Sequence, residues 1–228
     1  MKKLFDNVFY KKTVLVTGNT GFKGSWLSTW LNLLGARVVG LSLDIPTKPS
    51  FFVAAKNSNF VQQEYADIRN IDEIARIVKN IQPDFVFHLA AQALVMSSYD
   101  NPLETIKTNA NGSANMMESL RALDKKVVAV MITSDKAYDN LEWAWGYKET
   151  DRLGGKDPYS ASKGMAELAI RSYIESFFNK PNSNIRVGIT RAGNVIGGGD
   201  WAKDRIVVDC IKSWSKNKPA IIRNPYAT

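Results

Sequence analysis

Between a short β-branched and apolar run, Thr13 to Thr17, and a stretch whose large apolar residues recur at helical spacing stands Thr17-Gly18-Asn19-Thr20-Gly21-Phe22-Lys23-Gly24. A buried strand that must turn at once into a helix, with glycines at 18, 21 and 24, has few folds open to it. Gly18 permits a sharp turn, Gly21 lets an anion approach the helix N-terminus, and Gly24 lets helix and strand pack closely. The helix that follows carries Phe22, Trp26, Leu27, Trp30, Leu31 and Leu34 on its repeating face, and Gly35 ends it. Glycine spacing alone is a weak signal that a structural turn would also satisfy. Its place between strand and helix points to a dinucleotide site, with Gly18, Asn19, Thr20, Gly21, Phe22, Lys23 and Gly24 as candidate contacts.

The remaining chain repeats the alternation. Further strands are expected at Arg37 to Leu43, Val61 to Tyr65, Phe85 to Leu89, Val127 to Ile132 and Ile185 to Thr190. Helices are expected at Ile71 to Asn80, closed by Pro83, at Asn101 to Leu123 with Pro102 in the first turn, around Tyr159, and at Ile206 to Trp214. This order implies an α/β fold, a doubly wound parallel sheet covered by helices on both faces. Ligands then bind outside the carboxyl ends of the strands.

Composition narrows the function classes. At 228 residues and 45% hydrophobic content the chain can bury one large core. A single cysteine, Cys210, allows no internal disulfide and suits a reducing compartment, so a cytoplasmic location is expected. Met1-Lys2-Lys3 is not followed by a continuous apolar stretch, and no later run approaches the roughly 20 residues that span a bilayer. The net charge of +8 comes from scattered pairs such as Lys11-Lys12 and Lys125-Lys126, without a basic stripe or aromatic platform, so no nucleic-acid or membrane partner is expected. His88, the single histidine, sits in an apolar run and reads as a packed core residue, so no metal site is expected.

Thr133-Ser134-Asp135-Lys136 closes the strand before the helix that holds Tyr159 and Lys163. Four residues apart on one helix, Tyr159 and Lys163 share a face, and an ammonium beside a phenol would favour the phenolate. Alone, such a spacing is usually a surface pair; beside a dinucleotide turn it reads as acid-base chemistry at a redox site. Asp44 lies about 20 residues past Gly24 and could accept from the adenosine ribose, repelling a ribose phosphate and so favouring NAD over NADP. Ser42 is an alternative occupant of that place, and Asp44 could simply begin a loop before Pro46.

The glycine turn, His88-Leu89-Ala90-Ala91, Asn109 and Pro158-Tyr159-Ser160-Ala161-Ser162-Lys163 together resemble the extended short-chain dehydrogenase/reductase family over essentially the whole chain. Three longer segments are similar to its nucleotide-sugar 4,6-dehydratase branch, the part of it that acts on CDP-glucose. They are Ser134-Asp135-Lys136, Trp145-Gly146-Tyr147 leading to Glu149-Thr150-Asp151, and Arg191 through Trp201. The resemblance implies a Rossmann fold, NAD as cofactor, a homo-oligomer at full length, and a lyase that oxidises carbon 4 of the sugar, eliminates water across carbons 5 and 6, and returns the hydride. Tyr159 would be the base for the carbon-4 hydroxyl, with Lys163 tuning it and Ser134 bonding the same oxygen. Asp135 would protonate the departing hydroxyl. Lys136 stands where related dTDP-glucose enzymes carry glutamate, and it can act as a base only when neutral; otherwise it is a structural ion pair with Asp135 or a neighbour.

The same resemblance puts Asp67 and Ile68 near the adenine, Leu89, Ala90 and Ala91 along the pyrophosphate and ribose, and Thr108 near the nicotinamide. It assigns Asn194 and Arg205 to the substrate diphosphate. Asp67 could instead cap a helix, and Arg205 could be a surface charge. Epimerases of this family would use Tyr159, Lys163 and NAD without Asp135 and Lys136, and a non-catalytic dinucleotide-binding protein would need neither serine nor tyrosine. The division expected is a dinucleotide-binding domain over residues 1–200 and the beginning of a substrate domain over 201–228. Asn224-Pro225-Tyr226-Ala227-Thr228 resembles a segment that leads onward, so the chain reads as a fragment without dehydratase activity of its own, with Trp214 and Ile221 exposed.

Overall fold

The structure is a computed structural model that describes residues 4–222 and Pro225. Met1-Lys2-Lys3 and, apart from Pro225, the closing segment Asn224 to Thr228 lie outside the described residues. Six strands among the described residues form one parallel sheet in the order β3-β2-β1-β4-β5-β6. They are β1 (Thr13–Thr17), β2 (Arg37–Ser42), β3 (Val61–Tyr65), β4 (Phe85–His88), β5 (Val127–Ile132) and β6 (Ile185–Thr190). Thr17 pairs with Leu41 on one side and with His88 on the other, so the chain departs from β1 and β4 in opposite directions. That reversal opens a crevice at the strands' carboxyl ends.

Helices cover both faces: α1 (Phe22–Leu33), α2 (Phe51–Ala54), α3 (Ile71–Ile81), α4 (Val95–Asp100), α5 (Pro102–Ile106), α6 (Gly112–Arg121), α7 (Pro158–Tyr173) and α8 (Ile206–Trp214). Alternation along β1 divides the core in two. Leu15 joins Ile74, Ile77 and Val78 of α3, Met116, Met117 and Leu120 of α6 and Ile170 of α7, while Val14 and Val16 face Leu31 of α1. Each of those helices buries positions three and four apart against the sheet, which is why an amphipathic pattern suffices to form it.

The expected helix from Asn101 to Leu123 differs in one respect. Between α5 and α6 the backbone stays right-handed but widens into a π turn over Lys107–Asn111. The wide turn accommodates an extra residue. It also carries Asn109, whose amide donates to the Gln92 carbonyl at 3.0 Å and the Ser162 hydroxyl at 2.8 Å while accepting from the Gln92 N–H at 2.8 Å. In the backbone, the Gly112 N–H donates to the Lys107 carbonyl, five residues back, in place of a regular helical bond. The short helices α2 and α4 were not expected from periodicity, being under two full turns long.

Around α8 the apolar surface is open, as expected. Trp214 is 62% exposed and Ile221 84%. No described helix is long and apolar enough to cross a membrane.

Leu15, fully buried at the centre of the sheet, tests this packing. Leu15→Ala is expected to cost about 2–5 kcal/mol in urea unfolding. A loss below about 1 kcal/mol would mean that the two core layers do not meet on β1 as described.

Candidate active site

The glycine turn is built into the ends of β1 and β2. Gly18, at φ +69°, donates its N–H to the Leu41 carbonyl at 2.7 Å. A Cβ on Gly24 would lie 2.2 Å from the Gly18 carbonyl oxygen, so no side chain fits where α1 meets the turn. Around this backbone the Asn19 amide donates to Gln63 at 2.6 Å, the Ser42 hydroxyl donates to Asn19 at 2.7 Å, and the Thr20 hydroxyl donates to the Asp44 carbonyl at 2.5 Å. Gly21, the N-cap of α1, offers no side-chain oxygen to the first helical N–H groups. They remain available to an anion, which is the feature a pyrophosphate requires.

Thr17 carries the turn across to β4. Its hydroxyl accepts from the Leu89 and Ala90 N–H groups, both at 3.1 Å, and faces His88 Nδ1 at 2.9 Å. With both acceptor positions used, the hydroxyl proton goes to Nδ1, so the imidazole carries its proton on Nε2, which faces Ser113 at 3.4 Å. His88 is thus a core histidine. Burial, then the Lys163 charge, pushes its pKa down to about 3.

At the end of β5, Ser134 caps a short 3₁₀ turn, Asp135–Ala137. Its hydroxyl donates to Asp135 at 3.0 Å and accepts from the Lys136 N–H at 3.2 Å. Asp135 and Lys136 are exposed, and both line a cavity of about 460 Å³ that also touches Tyr138, Tyr147 and Asp157. No ion pair joins Lys136 to a described residue, so the structural ion pair with Asp135 or a neighbour is not formed.

Opposite stands α7, begun by Asp157, which accepts from the Ser160 N–H at 2.9 Å. Tyr159 and Lys163 are both buried on it, with the ammonium 5.8 Å from the ring centroid. The expectation that Lys163 lowers the phenol's pKa is corrected here. Burial raises Tyr159 above the usual tyrosine range; a hydrogen bond to Ser134 and the Arg205 charge oppose it, in that order. Lys163 itself is pushed down to about 8 by burial and then by the Lys23 charge. Desolvation weakens the very cation that was expected to act on the phenol.

Of the other candidates, Ile68 is buried beneath Gly112, the Leu89 and Ala90 backbone lies against Gly18 of the turn, and Ala91 follows them half-buried. Asp67 does not cap α3. Asn70 does, accepting from the Glu73 N–H at 3.3 Å, while Asp67 is held in a fork by Arg69. Asp44 has an exposed side chain, and Ser42, the alternative, has its hydroxyl engaged with the glycine turn. Thr108 lies half-buried in the π turn, and Asn194 is exposed in the loop after β6. Arg205 is half-buried, with Nε inaccessible and without a hydrogen-bond partner, so it is not a simple surface charge. Partial desolvation and then the Arg205 charge lower the Lys23 amine as well. Lys23, Lys163 and Arg205 therefore crowd positive charge into one crevice, which suits a polyanionic ligand.

Sequence reasoning missed Glu167 and Arg191. Glu167 is wholly buried, accepts from the Thr133 hydroxyl at 2.7 Å and from Arg191 Nε at 2.7 Å, and thereby ties β5, α7 and the end of β6 together. One signal was present: Tyr159, Lys163 and Glu167 follow at steps of four, extending the functional face by a turn.

Comparison with known proteins fits this geometry. The chain is 47% identical to CDP-glucose 4,6-dehydratase of Salmonella typhimurium over 98% of its own length, and spans 64% of the length of that protein. The UDP-glucose 4-epimerase of Thermus thermophilus, solved in complex with NAD, superposes with a TM-score of 0.77 at 26% identity, covering 91% of this chain and 64% of that one. DesIV, a dTDP-glucose 4,6-dehydratase from Streptomyces venezuelae solved with NAD and TYD bound, has the same fold, with a TM-score of 0.74 at 22% identity over 90% of this chain and 62% of that one. A family model described as GDP-mannose 4,6 dehydratase matches residues 15–187, a stretch that runs from β1 through Ser134, Tyr159 and Lys163 into β6, and by that match the chain belongs to the GDP-mannose 4,6-dehydratase family.

Proposed function

We propose that the protein to which this chain belongs is an NAD-dependent lyase that converts CDP-glucose to CDP-4-keto-6-deoxyglucose. The observation that carries this reading is the meeting of Ser134, Asp135 and Tyr159 at the end of β5. A serine bonded to an acid stands beside a buried phenol, and the acid has no part in simple hydride transfer. The 47% identity to a CDP-glucose 4,6-dehydratase supports both the nucleotide and the reaction.

The residues divide the work. The turn Gly18 to Gly24, with Asp44, Asp67, Ile68, Leu89 to Ala91, Thr108, Tyr159 and Lys163, would hold NAD; the fit rests on the open N-terminus of α1 and on the missing Cβ at Gly24. Bound there, NAD supplies a hydride acceptor that is restored when the hydride returns to the sugar. Tyr159 takes the proton from the carbon-4 hydroxyl, and Ser134 orients that oxygen. The ketone acidifies the carbon-5 hydrogen, so water can be lost across carbons 5 and 6. Asp135 protonates the leaving hydroxyl, and Lys136, when neutral, is the candidate base at carbon 5. Asn194 and Arg205 receive the substrate diphosphate, as the half-buried Arg205 guanidinium with its unpartnered Nε suits. Residues 1–200 form the cofactor domain, 201–228 begin the substrate domain, and the full-length protein is a cytoplasmic homo-oligomer.

Incubating the full-length protein with CDP-glucose and, separately, dTDP-glucose tests the reading. The 4-keto-6-deoxy product is expected from the first; epimerised sugar instead, or no product, would refute it.

Three outcomes follow from the site. Tyr159→Phe in the full-length enzyme is expected to lower turnover by at least about 10²-fold while NAD remains bound, since a positioned acid-base group contributes 10²- to 10⁴-fold; turnover within about tenfold of the parent would remove Tyr159 from the chemistry. Binding titrations are expected to show NAD tighter than NADP, because an Asp44 carboxylate repels a ribose phosphate, and equal affinities would take Asp44 out of the site. Lys163 titrates near 10.5 when unfolded and at about 8 in the fold. Between those values the unfolded chain holds the extra proton, so stability rises with pH across that window. Denaturant unfolding of the parent is expected to show this rise and Lys163→Met a smaller one, with the lowered Lys23 supplying what remains; identical pH profiles would mean that Lys163 is not desolvated.

A further inference from the structure

We propose that the segment Gly197 to Gly199, after β6, is a latch across the mouth of the dinucleotide crevice, and that Trp26 and Phe51 hold it shut and so set how fast NAD enters and leaves. The inference rests on the dinucleotide reading and adds to it a device that controls exchange.

Topology makes the argument. β6 is the edge strand, with β5 and β4 between it and β1, whereas α1 follows β1 and α2 follows β2. Yet the Gly198 carbonyl accepts from the Trp26 indole N–H at 2.9 Å. With strands about 4.8 Å apart, the chain from Arg191 to Gly198 crosses roughly 14 Å past the carboxyl ends of β5 and β4 to reach α1. Those ends carry Ser134 on β5 and Leu89 to Ala91 on β4, the residues that the ligand must meet. The far end lies flat on its support. A Cβ on Gly197 would come 2.9 Å from the Phe22 ring, and one on Gly199, itself at φ +85°, 2.6 Å from the Phe51 Cβ. Trp26 stacks on Phe51 with ring centroids 4.3 Å apart and planes 13° from parallel, forming one flat aromatic seat.

The fastening is shallow. Trp26 is 47% exposed, and Val195 and Ile196, just before the segment, are also exposed, so among the described residues a solvent-accessible hydrogen bond and an aromatic seat hold its far end rather than a core. Opening it disturbs no buried layer. Asn194 and Arg205 flank the segment on either side, so the latch is continuous with the groups assigned to the substrate diphosphate. A reaction that restores its own cofactor is served by a cover that stays closed between turnovers.

Stopped-flow binding and displacement of NADH by the 228-residue chain tests the latch. Trp26→Phe keeps a ring to stack on Phe51 but loses the N–H. Gly199→Ala leaves α1 untouched and forces the segment off Phe51, and it serves where the first variant fails to fold. Both are expected to raise association and release rates together, by about two- to tenfold as for loss of one hydrogen bond, with the dissociation constant moving less than either rate. Gly198→Ala, whose Cβ would meet nothing within 4 Å, is expected to match the parent. Unchanged rates in the folded variants would overturn the latch, and so would faster release with unchanged association, which would make the segment a direct ligand contact. A parent chain that binds no NADH would instead overturn the dinucleotide reading and the latch with it.

Discussion

The buried carboxylate of Glu167 is the constraint on which the catalytic end of the molecule depends. It has no exposed surface, and it is met by Arg191 from the end of β6, by the Thr133 hydroxyl from the end of β5 and, at 3.6 Å, by Arg171 one turn along its own helix. Removing one partner from such a pair typically costs about 3–5 kcal/mol, because the other charge is left buried and uncompensated. Three elements that carry chemistry therefore have one relative position. Ser134 follows Thr133 directly, Tyr159 and Lys163 lie two turns and one turn before Glu167, and the Asp135 N–H is pinned to the Ala192 carbonyl at 3.1 Å. Arg191 extends the constraint outward by lying 4.4 Å over the Tyr138 ring, which packs on Tyr147.

Desolvation governs the charge state of the crevice. It raises Tyr159 and lowers Lys163 and His88, so each of these groups is displaced toward its neutral form. For Lys23, Lys163 and His88 a neighbouring cation enters second, and for Tyr159 the Ser134 hydrogen bond does, ahead of the Arg205 charge. Without ligand, the crevice holds cations that repel each other in a place poor in water. A diphosphate would relieve that repulsion while raising the proton affinity of Lys163.

Much of the fold was legible because its signals are local. β3, β5, β6 and α8 have the expected bounds, each a short apolar run or a helical period between turn residues. The glycine turn was legible for the same reason, and so was the Tyr159–Lys163 face. Partnerships across long sequence separations were not. Glu167 meets Thr133 and Arg191 from 34 and 24 positions away, and Asn19 meets Gln63 across 44. Nothing in the local pattern of a glutamate on a helix distinguishes a buried anchor from a solvated charge. The Tyr159 reading went astray in the same way: spacing showed that a cation was near, but the degree of burial decides the sign of the shift.

The π turn at Lys107–Asn111 has a consequence for how this family of chains can change. A residue advances an α-helix by about 100°, so the additional residue in the wide turn acts as a phase offset between α5 and α6. Upstream of it Thr105 faces Gln92, at 3.0 Å; within it Asn109 faces both Gln92 and Ser162; downstream Met116, Met117 and Leu120 face the sheet. Losing a single codon there would let the helix relax to ordinary pitch and turn one of those faces away from its partner. The segment is thus sensitive to a change in length as well as to the loss of Asn109, in a stretch that composition alone would mark as ordinary helix.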